Sequence, residues 1–303
     1  MDLGVQLGDL FCKNPILTAS GTFGYGLEFE SFGDLKQLGG IIVKGLSLAA
    51  SQGNPPPRIT ETSAGLLNSI GLHNIGVKAF VEEKLPSLPW QEVPIIVNLY
   101  AQTIEEFSAL THKLAQYPQI AALEANISCP NVSLGGIQFG QDPVLAAEVT
   151  RTVKEESEGK PVIVKLSPNV SSIVEIAKSV EAAGADIISL INTLKGMSVD
   201  VRTKRPSLSK VFGGLSGPAI KPVALAMVYQ VCQEVDVPVI GVGGIASAED
   251  ALEFILVGAH AVQVGSANFI RPDMAFSIIS DLERRARELG LNSWQEFRGS
   301  LII

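Results

Sequence analysis

Short apolar runs rich in Ile and Val recur along this 303-residue chain, separated by stretches with helical punctuation. In order they are PILTA (15–19), GIIVK (40–44), PIIVNL (94–99), ALEAN (122–126), PVIVKL (161–166), DIISLI (186–191), PVIGVG (238–243) and AVQVG (261–265). Continuous apolar runs of this length predict strands covered on both faces, as in a parallel sheet. Between two of them, SSIVEIAKSVEAAG predicts a helix that opens at Ser172, carries Glu175 three residues on, and stops at Gly184. SAEDALEFILVG repeats the design with Ser247, Asp250 and Gly258. Eight strand–helix units in series predict one α/β domain over 1–303, folded as a (β/α)8 barrel. A doubly wound open sheet is the competing arrangement. It is weakened because no Gly-x-Gly-x-x-Gly turn follows an early strand.

The strands run out into Ser20, Lys44, Asn98, Asn126, Lys165, Asn192, Gly243-Gly244 and Gly265-Ser266. In a barrel these positions converge at the C-terminal mouth, where active sites lie. One polar residue there is ordinary turn chemistry. Eight in register, two of them lysines, place cations beside a pocket. GVGGIASAED and QVGSANF are glycine-rich turns after the last two strands, where backbone N–H groups can approach an anion and barrels often hold a phosphate.

Composition narrows the partners. At 46% hydrophobic residues the chain can bury a large core. Its formal charge is −8 with a pI near 5.0, and it contains no Lys/Arg-rich run, so no nucleic-acid partner is expected. No apolar run approaches 18 residues, so no membrane span is expected. The start, MDLGVQLGDLF, lacks the basic flank and apolar stretch of a signal peptide, which leaves a cytoplasmic location as the expectation. Cys12, Cys129 and Cys232 are far apart, without metal-ligand spacing, and three thiols are too few for a four-ligand iron–sulfur cluster.

The site chemistry follows from the strand ends. Lys44 and Lys165 can stabilise a ligand that becomes anionic. Asn98, Asn126 and Asn192 offer donors and acceptors suited to a flat heterocycle with imide-like edges. A phosphate joined to an electron-accepting ring points to flavin mononucleotide (FMN). Cys129 sits in the polar loop NISCPN, three residues past Asn126. A thiol ordinarily titrates near 8.5, so modest tuning makes it a general base near neutral pH. Its alternative, a small buried hydrophobe, is the reading adopted for Cys12 and Cys232. The glycines of SLGGIQFG suit a cover over the site.

Nine segments together carry a family resemblance: TASGTFGYG (18–26), VKGLS (43–47), NSIGLHN (68–74), NISCPNVSLGGIQFGQDP (126–143), VKLSPNV (164–170), INTLKGM (191–197), GGLSGPAIKP (213–222), GVGGI (241–245) and VGSANF (264–269). Over nearly its whole length the chain resembles class 1 dihydroorotate dehydrogenases, and most the NAD-linked class 1B catalytic subunit. The resemblance implies a TIM barrel with an N-terminal β-hairpin and insertions at the C-terminal face. It implies FMN held by Ser20, Lys44, Gly45, Asn98, Asn126, Lys165, Ile191, Gly217, Gly243, Gly244, Gly265 and Ser266. Substrate would contact Lys44, the loop Asn68, Ser69, Ile70, Gly71 and Leu72, then Asn126, Asn192 and Thr193. Cys129 would take a proton from C5 of dihydroorotate while hydride leaves C6 for the flavin. Lys165 would offset negative charge on the reduced flavin. A partner subunit carrying FAD and a 2Fe–2S cluster would pass electrons to NAD, in a heterotetramer of two plus two with the barrel chains forming a homodimer. No metal site is implied in this chain.

Relatives commonly have NAVGLQN where this chain has NSIGLHN, so Ser69, Ile70 and His73 are local variants. His73 reads as a loop residue, and His112 and His260 as structural. Two flavoenzyme alternatives are the fumarate-linked class 1A enzyme and a dihydropyrimidine dehydrogenase-like enzyme. The loop VSLGGIQFGQDP with GGLSGPAIKP favours class 1B over the first, and NSIGLHN disfavours the second. A non-catalytic phosphate-binding barrel is a third alternative.

Overall fold

The computed structural model describes residues 3–128, 139–291 and 293–303. The chain opens with an antiparallel hairpin, β1 (Val5–Leu7) and β2 (Leu10–Cys12), turning through Gly8 at φ 57°. Alternate residues of both strands are buried, so the hairpin lays one face on the body of the protein. Then come β3 (Ile16–Thr18), β4 (Ile41–Ile42), β5 (Ile59–Thr62) and β6 (Gly65–Asn68). Next are β7 (Ile95–Leu99), β8 (Ala122–Asn126), β9 (Val162–Lys165) and β10 (Ile187–Leu190). Short strands β11 (Leu194–Gly196), β12 (Val199–Asp200), β13 (Arg205–Pro206) and β14 (Gly213–Ser216) precede β15 (Val239–Val242) and β16 (Ala261–Val264).

Eight of these pair in the order β3-β16-β15-β10-β9-β8-β7-β4, all parallel, and a parallel bridge from Leu17 to Gly40 joins the two ends. The sheet is therefore a closed (β/α)8 ring made of the eight apolar runs. Every residue of β7, β8, β9, β10, β15 and β16 is buried, because side chains point alternately into the ring and under the helices. One contact shows how closely the layers approach. A Cβ on Gly241 of β15 would lie 2.4 Å from Cδ1 of Phe254, so the glycine lets this ring of the helix Ala248–Leu256 reach the sheet.

The expected helix signals hold. The Ser172 hydroxyl accepts from the Glu175 N–H at 3.3 Å, and the Ser247 hydroxyl from the Asp250 N–H at 3.1 Å. Gly184 and Gly258 end those helices at φ 101° and 119°. The regular strand–helix alternation fails after β3 and β4. The segment after β3 forms only short 3-10 turns at Leu27–Phe29 and Leu35–Gln37. Gly21, Gly24 and Gly26 there adopt φ of 84°, 54° and 103°, which an α-helix cannot hold. After β4 the chain makes the β5–β6 hairpin before the four-residue helix Gly76–Ala79.

That hairpin pairs with an excursion from the other side of the ring. β6 bonds to β14, and β14 to β11, giving a four-stranded antiparallel sheet β11-β14-β6-β5. Both excursions leave from C-terminal strand ends, as expected for insertions at that face. β12 and β13 form a separate exposed hairpin. Among the described residues, no helix is long and apolar enough to cross a membrane.

Candidate active site

Because the ring strands are parallel, their C-terminal ends share one rim. Every expected site residue within the described segments lines one cavity of about 1310 Å³. Ser20, Lys44, Gly45, Asn98, Asn126, Lys165, Ile191, Asn192 and Thr193 enter it from strand ends. Gly217, Gly243, Gly244, Gly265 and Ser266 enter from the turns, and Asn68, Ser69, Ile70, Gly71 and Leu72 from the end of β6. Cys129 lies outside the described residues.

The glycine turns have two different reasons to be glycine. Gly243 and Gly244 adopt φ of 138° and 73°, and a Cβ on Gly244 would lie 2.8 Å from Lys221 Cβ and 2.9 Å from Gly217 O. The start of the helix Lys221–Cys232 therefore excludes a side chain there whether or not an anion is near. Gly265 differs, since an added Cβ would meet only Ala19 Cβ, at an ordinary 3.6 Å. The space beside Gly265 belongs to the cavity.

The floor of the cavity is a polar cluster inside an apolar ring. Among the described residues, Glu124 and Lys165 are the only buried charged side chains. The Lys165 ammonium donates to Gln263 Oε1 at 3.1 Å and Ser20 Oγ at 3.5 Å, and stands 3.9 Å from Glu124 Oε1. Glu124 accepts from Asn98 Nδ2 at 2.6 Å, Ser189 Oγ at 3.0 Å and Gln263 Nε2 at 2.8 Å. Strands β8 and β16 are not neighbours, so the bond from Gln263 to Glu124 crosses the interior of the ring.

These bonds decide which end of each amide the cavity receives. Asn98 spends its NH2 on Glu124, leaving its carbonyl oxygen for a ligand. Asn126 does the reverse: its oxygen accepts from the Ser128 N–H at 3.2 Å and from Asn192 Nδ2 at 3.4 Å, leaving its NH2. Lys44, at the other side of the rim, has its pKa lowered, chiefly by burial and secondly by the nearby Arg58 cation, with Glu28 opposing.

The loop after β6 is fastened at both ends. The Asn54 N–H donates to Ile70 O and its side chain to Ser69 O, both at 2.9 Å. Asn74 holds the far end, accepting from the Gly76 N–H at 2.9 Å and donating to Leu72 O at 2.8 Å. A Cβ on Gly71, at φ 72°, would lie 2.6 Å from the Asn54 backbone nitrogen. Asn169 fixes the neighbouring turn, donating to Thr193 O at 3.0 Å.

The remaining thiols and imidazoles take structural places. Burial pushes the Cys12 and Cys232 thiols up to about 12, where neither is a base near neutral pH. His260 Nδ1 accepts from the Val239 N–H at 3.2 Å, and burial, aided by Arg298, lowers its pKa to about 4. His112 pairs with Glu156 at 3.1 Å on the surface. His73 is not among the cavity-lining residues.

Reading the sequence missed Glu124, Gln263, Asn54 and Asn169. A signal existed for the first two: each is a lone polar residue inside an otherwise apolar strand, in ALEAN and AVQVG. Such a residue must find a polar partner inside the ring.

Comparison with known proteins shows the family. Residues 3–286 match the family model described as dihydroorotate dehydrogenase. A protein of Solidesulfovibrio magneticus named dihydroorotate dehydrogenase B (NAD(+)), catalytic subunit, is 60% identical over 303 residues, covering 100% of this chain and 99% of that relative. Proteins of the same name from Maridesulfovibrio salexigens and Geotalea uraniireducens are 55% and 56% identical, each over 301 residues and 99% of this chain, covering 99% and 98% of those relatives.

Proposed function

Because the chain belongs to the dihydroorotate dehydrogenase family, we propose that it is the catalytic subunit of an NAD-linked enzyme oxidising dihydroorotate to orotate in pyrimidine biosynthesis. One observation carries the reading: two lysines, three asparagine amides and two glycine turns converge on a single cavity at the strand ends. FMN fits this donor set. A phosphate suits the open side of Gly265 and the Gly243-Gly244 turn, and the outward carbonyl of Asn98 suits an imide N–H. Ser20, Lys44, Gly45, Asn98, Asn126, Lys165, Ile191, Gly217, Gly243, Gly244, Gly265 and Ser266 would hold it. When bound, FMN supplies the acceptor for the hydride leaving C6 of the substrate.

The chain's own groups do the rest. Lys44, with the fastened loop 68–72, holds the substrate carboxylate and ring edge. Asn126 offers its NH2 to the ring, Asn192 braces Asn126, and Thr193 closes the side. Cys129 takes the C5 proton. Lys165 supplies a fixed cation toward charge developing at the cavity floor, where low dielectric strengthens its effect. Electrons then leave through a second subunit carrying FAD and a 2Fe–2S cluster, two copies of each chain assembling around a barrel homodimer. Two features support a separate carrier. The relatives are named catalytic subunits, and three dispersed cysteines cannot ligate a usual cluster.

The test is to purify the chain alone and together with its co-expressed partner, then supply dihydroorotate with a dye, fumarate or NAD. The chain alone should be yellow and reduce the dye, and NAD reduction should require the partner. Colourless protein would refute the flavin reading. Fumarate reduction by the isolated chain would move the assignment to the fumarate-linked class.

A further inference from the structure

The proposed mechanism uses Lys165 but leaves its buried partner without a role. We propose that Glu124 is a positioning residue that fixes the Lys165 ammonium and tempers its pull on the bound flavin, holding the cofactor's reduction potential down. The inference rests on the flavin reading above and adds a residue to it.

An ionised carboxylate only accepts hydrogen bonds, so each amide beside Glu124 must turn its NH2 inward. Asn98 and Gln263 both do so, at 2.6 Å and 2.8 Å. Their carbonyl oxygens are thereby aimed away from Glu124. That of Gln263 receives the Lys165 ammonium at 3.1 Å, and that of Asn98 is left for the cavity. A cation and an acceptor are thus set in place by one carboxylate that does not itself line the cavity.

Glu124 is fully buried and its oxygen stands 3.9 Å from the Lys165 nitrogen. A lysine alone would favour the reduced, anionic flavin strongly. The adjacent anion opposes it, which keeps the reduced cofactor able to give its electrons onward. At an effective dielectric of about 20, a unit charge within about 12 Å of the developing anion changes its equilibrium about tenfold or more.

The experiment compares the flavin-loaded wild type with Glu124→Gln and Glu124→Asp, each equilibrated with a reference dye of known potential. Glu124→Gln should raise the ratio of reduced to oxidised flavin at a fixed solution potential at least about tenfold, about 30 mV for a two-electron couple. Glu124→Asp keeps the charge and should stay near wild type. A yellow Glu124→Gln protein whose potential is unchanged or lower overturns this inference and leaves the flavin reading standing. A colourless wild-type chain refutes the flavin reading and this inference with it. If Glu124→Gln fails to accumulate as folded protein, its new NH2 has been set against the NH2 groups of Asn98 and Gln263, and Glu124→Met, which removes the charge without adding a donor, is read by the same ratio. A flavin-loaded Glu124→Met protein whose potential is unchanged or lower overturns the inference.

Discussion

Two adjacent glycine turns separate the cost of folding from the cost of losing an anion. Gly244 sits at φ 73°, and its Cβ would lie 2.8 Å and 2.9 Å from Lys221 Cβ and Gly217 O. Left-handed backbone costs a β-branched residue about 1–2 kcal/mol, and overpacking adds about 1–3 kcal/mol, so Gly244→Val should lose about 2–5 kcal/mol of stability. A loss of cofactor in that variant would be uninformative. Gly265→Ala is the better probe, because its methyl would touch only Ala19 Cβ at 3.6 Å and otherwise occupy cavity. The folding cost should stay below about 1 kcal/mol. If a phosphate approaches this backbone, the methyl displaces it from a charge-assisted hydrogen bond worth about 1.5–3 kcal/mol. FMN affinity should then fall roughly 10- to 150-fold. The assay is FMN titration of the apoprotein by fluorescence quenching, alongside thermal melts of the apo forms. Gly265→Ala with wild-type FMN affinity would refute the placement of the phosphate.

Cys129→Ala should retain FMN and slow flavin reduction by dihydroorotate at least about 100-fold in stopped flow, with Cys129→Ser recovering part of the rate at high pH. A near-normal rate for the Ala variant at pH 7 would remove this thiol from the mechanism. Orotate should bind less tightly as pH rises, at pH values below those of an ordinary lysine. The lowered Lys44 pKa means its charge, and its attraction for the carboxylate, is lost early. Lys44→Arg should flatten that profile, and a flat wild-type titration would contradict the assignment. His260 binds its proton more weakly folded than unfolded, at about 4 against an ordinary value near 6.5. Unfolding therefore takes up a proton in this window, and stability falls as pH drops. The share due to His260 should be about 1–2 kcal/mol between pH 7 and 5, measured as the difference in urea midpoints from His260→Gln.

What the sequence determined by itself is local. Each of the eight apolar runs is a strand because its residues are apolar on both faces, a property readable within five residues. The helix starts at Ser172 and Ser247 were equally legible, since a cap and the N–H that donates to it lie three residues apart. The rim residues followed at one remove: once the strands are parallel, their ends must meet. The interrupted alternation after β3 also had a local cause in Gly21, Gly24 and Gly26, although the run of strands masked it.

Only the tertiary structure decided what those rim groups face. Glu124 bonds to residues 26, 65 and 139 positions away, the first on the adjacent strand β7 and the other two on strands that meet it only across the ring interior. No pattern within ALEAN states which donors will arrive, so the outward carbonyl of Asn98 and the tethered ammonium of Lys165 were not readable from it. The wall over the cavity is likewise non-local, since β6 and β14 are joined by a bond from Asn68 to Gly214 spanning 146 residues. The sequence supplied the chemical groups and their order along each strand. Closing the ring fixed their partners, and with them which lone pairs and protons remain for a ligand.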